Sequence, residues 1–208
     1  MGMICLEQPD GLRAHAERAA RRACLREPHI VQLTEYVDEI RRERSQPEGV
    51  PYFDPYDGGI EAAALFLLEA PGPRAVDTGF ISRDNPDPTA RRMGHLLAEA
   101  GLARAQTVLW NVVPWYLGTG RQIAPASEED ISLGLKWLAR LLPVLHRRLR
   151  LVVLVGRPAQ RARGVVEGAG LDAFDMWHPS SRVCNRWPEK AMQVRAVISR
   201  VARILTME

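Results

Sequence analysis

Three short runs of apolar residues stand out in a chain otherwise patterned for helices. Residues 63–68 (AALFLL), 107–113 (TVLWNVV) and 149–155 (LRLVVLV) are strand-length, and the first and third stop at turn formers. Continuous apolar runs of this size mark strands covered on both faces. A fourth, weaker extended stretch, 173–177, leads into His178, Pro179, Ser180 and Ser181. Between the runs, apolar residues recur at helical spacing. Met93, Leu96, Leu97 and Ala100 form one face behind Thr89, a cap residue, and Gly101 ends that helix. Ser127 and Asp130 form a capping box ahead of Ile131, Leu135, Leu138, Leu141 and Leu142. Residues 158–168 and about 189 to 205 read as further helices, and 71–88, rich in Gly, Asp, Asn and Pro, as a loop.

Upstream, residues 11–44 read as two helices. Asp10 is placed to cap the first, which Pro28 ends. Ile30, Leu33, Tyr36, Val37 and Ile40 mark the second, closing on Arg41, Arg42 and Arg44, where the helix dipole favours cations. This predicts an N-terminal helical arm over 1–49, packed on a main domain over 50–208. Strand–helix alternation in the main domain predicts an α/β class: three layers, α/β/α, around a central, mostly parallel four-stranded sheet. Ligands of such sheets bind beyond the carboxyl ends of the strands. No apolar run approaches the roughly 18 residues of a membrane span, and the N-terminus lacks the pattern of a secretory signal.

Composition changes this picture little. The net charge is +3, and of 28 basic residues only Lys136 and Lys190 are lysines. Arginine forks suit phosphate, although a coding bias gives the same excess. Arg91, Arg92, Arg147 and Arg148 are expected on solvated helix faces. Cys5, Cys24 and Cys184 are too few and too scattered for a disulfide framework. A reducing cytoplasm is the expected location, and no metal site is expected.

The candidate chemistry sits at three strand ends: Glu69 in a Glu-Ala-Pro-Gly turn, Asn111 within an apolar strand, and His178 in a Pro/Ser turn. Taken singly, Glu69 is as readily a cap or ion-pair partner. Asn111 needs buried partners, either a neighbouring loop or a ligand. His178 alone among the five histidines lies in a post-strand turn, where a side chain can face a cleft. No second ligand stands at metal spacing, no G-x-S-x-G elbow is present, and Gly72 and Gly156 make no phosphate loop.

Together, and in this order, the segments resemble the uracil-DNA glycosylase superfamily over roughly residues 50–200. Residues 68–72 (LEAPG) are similar to the G-E-A-P-G motif of its fourth-family enzymes, and 110–113 (WNVV) to their T-N-V-V strand. Residues 178–181 (HPSS) with 185–190 (NRWPEK) are similar to their H-P-[SA] loop and the R-N-P-x-x-K stretch after it. The resemblance implies hydrolytic removal of uracil, alone or with other damaged bases, from DNA; no cofactor is expected, because three cysteines do not reproduce the cluster of the fourth family, and the protein is expected to be a monomer. It assigns His178 a hydrogen bond to uracil O2, Asn111 the reading of N3–H and O4, Ala70 a part in cradling O2, and Phe80 a stacking role. A packed loop anchor is the other reading of Phe80. Water orientation falls to Glu69, Asp77 or Asp84, because Ala70 stands where the best-known family has an aspartate. DNA contacts fall to Arg121, Ser180, Ser181, Arg182 and Val183, the last two near the family's wedge.

The departures are Leu68 for the motif's first glycine, Pro114-Trp115-Tyr116 for a basic tripeptide, and three cysteines where fourth- and fifth-family enzymes use four for an iron–sulfur cluster. Two other classes stay open: a non-catalytic α/β nucleic-acid-binding module, and a small hydrolase of free nucleotides.

Overall fold

The computed structural model describes residues 9–118, 124–145 and 147–207. Its first part holds α1 (His15–Ala23) and α2 (Val31–Arg42), followed by β1 (Tyr52–Phe53), β2 (Ala64–Leu68), α3 (Pro73–Thr78) and β3 (Phe80–Ile81). Then come α4 (Pro88–Glu99), β4 (Thr107–Asn111), α5 (Glu128–Leu145) and β5 (Leu151–Val155). The chain closes through α6 (Arg157–Gln160), α7 (Arg163–Gly168), β6 (Asp172–Met176), α8 (Ser181–Arg186) and α9 (Pro188–Thr206).

The main sheet runs β4-β2-β5-β6 with every pair parallel, and β1 and β3 form a separate parallel pair. Helix α5 packs on both α2 and α7, α9 packs on both α4 and α8, and helices flank the sheet as the α/β/α reading expects. Strand β5 is buried throughout, which is why its sequence carries no polar alternation. Strand β6, at the sheet edge, keeps exposed Asp172 and Asp175. The chain leaves β2 for β4 on one side and then returns to β5 on the other. The order therefore reverses around β2, and the crevice for a ligand opens there.

Several local expectations change. Asp10 does not cap the first helical turn; it sits in the left-handed region (φ 61°) and pairs with Arg91 at 2.6 Å. Asp87 rather than Thr89 caps α4, its Oδ1 accepting from the amides of Thr89 and Ala90 at 2.9 Å each. A carboxylate two residues upstream reaches the free amides and complements the dipole as well. The supposed loop 71–88 contains α3 and β3, and the 158–168 helix is two short helices, α6 and α7. The capping box at α5 forms as expected: Ser127 Oγ accepts from the Asp130 amide at 3.1 Å, and Asp130 accepts from the Ser127 amide at 3.2 Å.

Residues of both N-terminal helices reach the core. Leu33, Tyr36, Val37 and Ile40 of α2 are buried. The Tyr36 ring meets Trp110 and Trp137 edge-on and lies tilted against Phe53, which itself stacks on Trp110 at 3.7 Å. Arg21 of α1 is fully buried. It donates to Asp54 at 2.9 Å and to Asp84, while Arg104 reaches Asp54 and Asp84 at 2.7 Å each. Asp57 completes the cluster between Arg104 and Arg83, whose Nε atoms stand at 3.0 and 3.5 Å.

Candidate active site

The site begins with strand register. Leu68 of β2 stands opposite Asn111 of β4, and the ladder runs on past the strand ends. The amides of Val112 and Val113 donate to the carbonyls of Leu68 and Glu69 at 2.8 and 2.9 Å. The turn carrying Glu69 is thereby fixed beside Asn111. The period of two along β4 then sorts its side chains. Trp110 goes into the aromatic core, while Leu109 and Asn111 face a cleft of about 580 Å³. Helix α5 closes on this end of β4 at Gly134, where any Cβ would stand 2.1 Å from the Val112 carbonyl oxygen.

His178 arrives from the far side of the sheet. The Gly156 amide after β5 donates to the Met176 carbonyl at 2.8 Å. This hydrogen bond holds the exit of β6 next to that of β5. Gly156 has φ +85°, a conformation that glycine alone adopts readily, and a Cβ added there would stand 3.5 Å from the His178 Cβ. Ser180, the first residue of the turn with a capping hydroxyl, accepts from the Val183 amide and starts α8.

Glu69, Ala70, Asn111 and His178 all line this one cleft, with Ser82, Asn85, Asp87, Ile81, Met93 and Leu109 along its walls. Asn111 is 4% exposed, and its Oδ1 is buried without a hydrogen-bond partner. Such an atom carries the full desolvation cost of an acceptor, about 1–3 kcal/mol, until a donor reaches it. The alternative reading of Asn111, a bond to a neighbouring loop, therefore fails for its carbonyl. Glu69 lines the cleft and accepts from the Ala126 amide through Oε1 at 3.1 Å. Burial lowers the pKa of His178 below its ordinary 6.5, against the opposing pull of the Glu69 and Asp87 carboxylates. The ring is therefore neutral at physiological pH, with one N–H to donate.

Other expected site residues lie elsewhere. Phe80 is fully buried and is not among the residues of the cleft wall. Asp84 belongs to the buried arginine cluster, and exposed Asp77 pairs with Arg74 at 3.3 Å, so neither is among the wall residues. Ser181 lines a separate depression between α4 and α9, Arg182 is exposed and Val183 is half-buried. Arg121 lies outside the described residues. Ser82, Asn85, Asp87 and Met93 are wall residues that the pattern did not announce. The only signal was a polar stretch, 82–87, following an apolar pair.

The sequence model of the Uracil DNA glycosylase superfamily matches residues 55–200, most of the chain. The chain belongs to the uracil-DNA glycosylase superfamily. No curated protein matches it. As a superfamily member it carries a glycosylase-type domain with DNA as the implied substrate. The four-cysteine cluster of some superfamily members has no donor set here. The sequence holds three cysteines, and among the described residues no group of three or more His, Cys, Asp or Glu side chains is placed to hold a metal. Among the described residues, no helix is long and apolar enough to cross a membrane.

Proposed function

We propose that the protein is a monofunctional uracil-DNA glycosylase, acting as a monomer in the cytoplasm and opening base-excision repair. The observation that carries this reading is the unpartnered Asn111 Oδ1 in a cleft shared with His178 and Glu69. An extruded uracil supplies what that oxygen lacks: its N3–H donates to Oδ1, and its O4 accepts from the Asn111 amide. Cytosine presents the reverse pattern and leaves both groups unpaired.

The base leaves the stack before reaction. The C1′–N1 bond breaks with its electron pair going to uracil, and the sugar becomes oxocarbenium-like. The neutral His178 ring donates to O2, where negative charge develops, and backbone amides near Ala70 add to that cradle. Water bonds to C1′ through its oxygen and its proton passes to the uracil anion, leaving neutral uracil and an abasic site. Glu69 orients this water and stabilises the sugar cation; Asp77 and Asp84 drop out because they are engaged elsewhere. Ser180, Ser181, Arg182 and Arg121 serve flanking phosphates, with Arg182 or Val183 filling the gap left by the flipped nucleotide. Phe80 serves as a core anchor in this scheme.

The test is release of free uracil from oligonucleotides. Wild-type protein is expected to release it, His178→Ala to lose about 10²–10³-fold, and Asn111→Ala to lose uracil selectivity together with rate. Wild-type protein that binds DNA and releases no base would leave the nucleic-acid-binding module as the correct reading.

A further inference from the structure

Resting on the reading of DNA as the substrate, we infer that helix α1 carries a second DNA-binding surface: a stripe of Arg18, Arg22 and Arg26 that takes phosphates of the duplex beside the flipped nucleotide. This helix lies outside the residues matched by the superfamily model. Its sequence is already distinctive. Residues 15–26 hold four arginines against one glutamate, a net charge of +3. That equals the net charge of the whole chain, so the remaining residues are balanced.

The fold divides these four arginines by task. Arg21 turns inward to Asp54, Asp84 and Glu17. Arg18 is half-buried, while Arg22 and Arg26 are exposed. Among the described residues, none of these three has a side-chain hydrogen bond, ion pair or ring contact. Several other surface arginines are paired: Arg140 with Glu39, Arg161 with Glu128, Arg163 with Glu167 and Arg195 with Glu99. Arg18 and Arg22 stand one turn apart, a spacing at which like charges weaken a helix. The helix dipole offsets this for Arg22 in the last turn, but not for Arg18 near the middle. Of the acids nearby in the chain and on α3, Glu17 is paired with Arg21 and Asp77 with Arg74, which leaves Glu27 against three arginines. A DNA strand, with its regular row of negative charges, supplies the partners that this stripe lacks.

Position ties the stripe to the cleft. Leu12, just ahead of α1, donates its amide to the Asp84 carbonyl at 3.3 Å, and Arg21 binds the Asp84 carboxylate. Asp10 pairs with Arg91 of α4 at 2.6 Å. The helix is thereby fastened to 84–91, the segment that supplies Asn85, Asp87, Thr89 and Ala90 to the cleft wall. Arg22 lies over Gly79 at the end of α3, where an added Cβ would stand 3.7 Å from its Nη2. Arg74, at the start of α3, lines the cleft and has an exposed side chain. Helix α3 between them spans only about 8 Å. A strand whose nucleotide turns into the cleft leaves past Arg74, runs onto Arg22 and continues along α1. The buried ion pairs of Arg21 hold α1 in place, so its cations are positioned before DNA arrives.

The experiment measures the affinity of the full chain for a lesion-free duplex over a series of salt concentrations. The combined variant Arg18→Gln, Arg22→Gln, Arg26→Gln is expected to bind about 10–10²-fold more weakly at low salt, with a slope of log affinity against log salt shallower by about 2–3. Lysine at the same three positions is expected to hold affinity within about threefold, since a phosphate accepts a point charge. Lys136→Gln with Arg147→Gln and Arg203→Gln removes equal charge from exposed positions elsewhere and is expected to keep the wild-type slope. Wild-type affinity and slope in the first variant overturn the inference. So does an equal loss in the lysine variant, which marks a structural role, or in the third, which marks net charge alone. If the first variant does not fold, Arg22→Gln and Arg26→Gln decide singly, each expected to flatten the slope by about 1. Uracil release is scored separately on the same proteins. Binding that depends on the stripe without release of base removes the glycosylase reading alone; release of base with binding that ignores the stripe removes this inference alone.

Discussion

Asn111 shows how one residue acquires a role from its surroundings. In the sequence it is a polar interruption of an apolar run. In the structure its carbonyl is buried with no protein donor, beside Glu69 and a neutral His178. His178 was singled out because it alone followed a strand into a turn; Phe80 was left with two readings because apolar loop residues and core anchors look alike in one dimension, and its full burial favours the anchor. At this scale the Glu69 charge is open to direct test. Glu69→Gln keeps an acceptor for the Ala126 amide and removes the charge. Single-turnover uracil release is expected to fall by about 10²-fold, the low end for a positioned base, with little change in DNA affinity. An unchanged rate would take Glu69 out of the chemistry. Burial lowers the His178 pKa against the pull of Glu69 and Asp87, so the ring takes up its proton at a lower pH than a free histidine. The inflection that this ring gives the pH–rate profile is therefore expected below the ordinary histidine value, and one at or above that value would show that the ring is not held neutral by burial.

At the scale of elements, the four main strands and the long helices were visible because burial on both faces and 3.6-residue periodicity leave direct marks. Residues 71–88 were not. Helix α3 has six residues and β3 has two, too short to show a period, and both are held by tertiary contacts. The close approach of α5 to β4 was equally hidden, since a glycine in a helix has no signature until something is seen to lie against it. Gly134→Ala sets a Cβ 2.1 Å from a backbone oxygen that cannot yield as a side chain would. It is expected to destabilise the protein by about 1–3 kcal/mol in denaturant unfolding. It is also expected to slow uracil release, since Val112 adjoins Asn111. Wild-type stability in that variant would mean that α5 shifts freely.

For the molecule as a whole, the buried cluster of Arg21, Arg83, Arg104, Asp54, Asp57 and Asp84 joins α1 to segments more than thirty residues away. Burial, the largest influence, raises the Asp57 pKa from 3.8 to about 6, with Arg83 and Arg104 opposing it. The folded chain therefore holds this proton at pH values where the unfolded chain has lost it. The stabilisation is complete below 3.8 and is lost as pH rises through 6, an effect of about 3 kcal/mol across that window. Asp57→Asn cannot titrate, so its stability relative to wild type is expected to improve from pH 4 to neutrality, followed by unfolding at several pH values. A pH-independent difference would show that Asp57 is already ionised throughout. The class of fold, the parallel strands and most helix positions could be read along the chain, and three polar groups could be placed at strand ends, because periodicity and breakers act locally. Tertiary structure alone decided which polar residues are buried, which acids are consumed by arginines, and that Asn111 is left without a donor. Charge and amide groups look the same in a sequence whether water, an ion pair or an empty cleft surrounds them; the difference is made by residues distant along the chain.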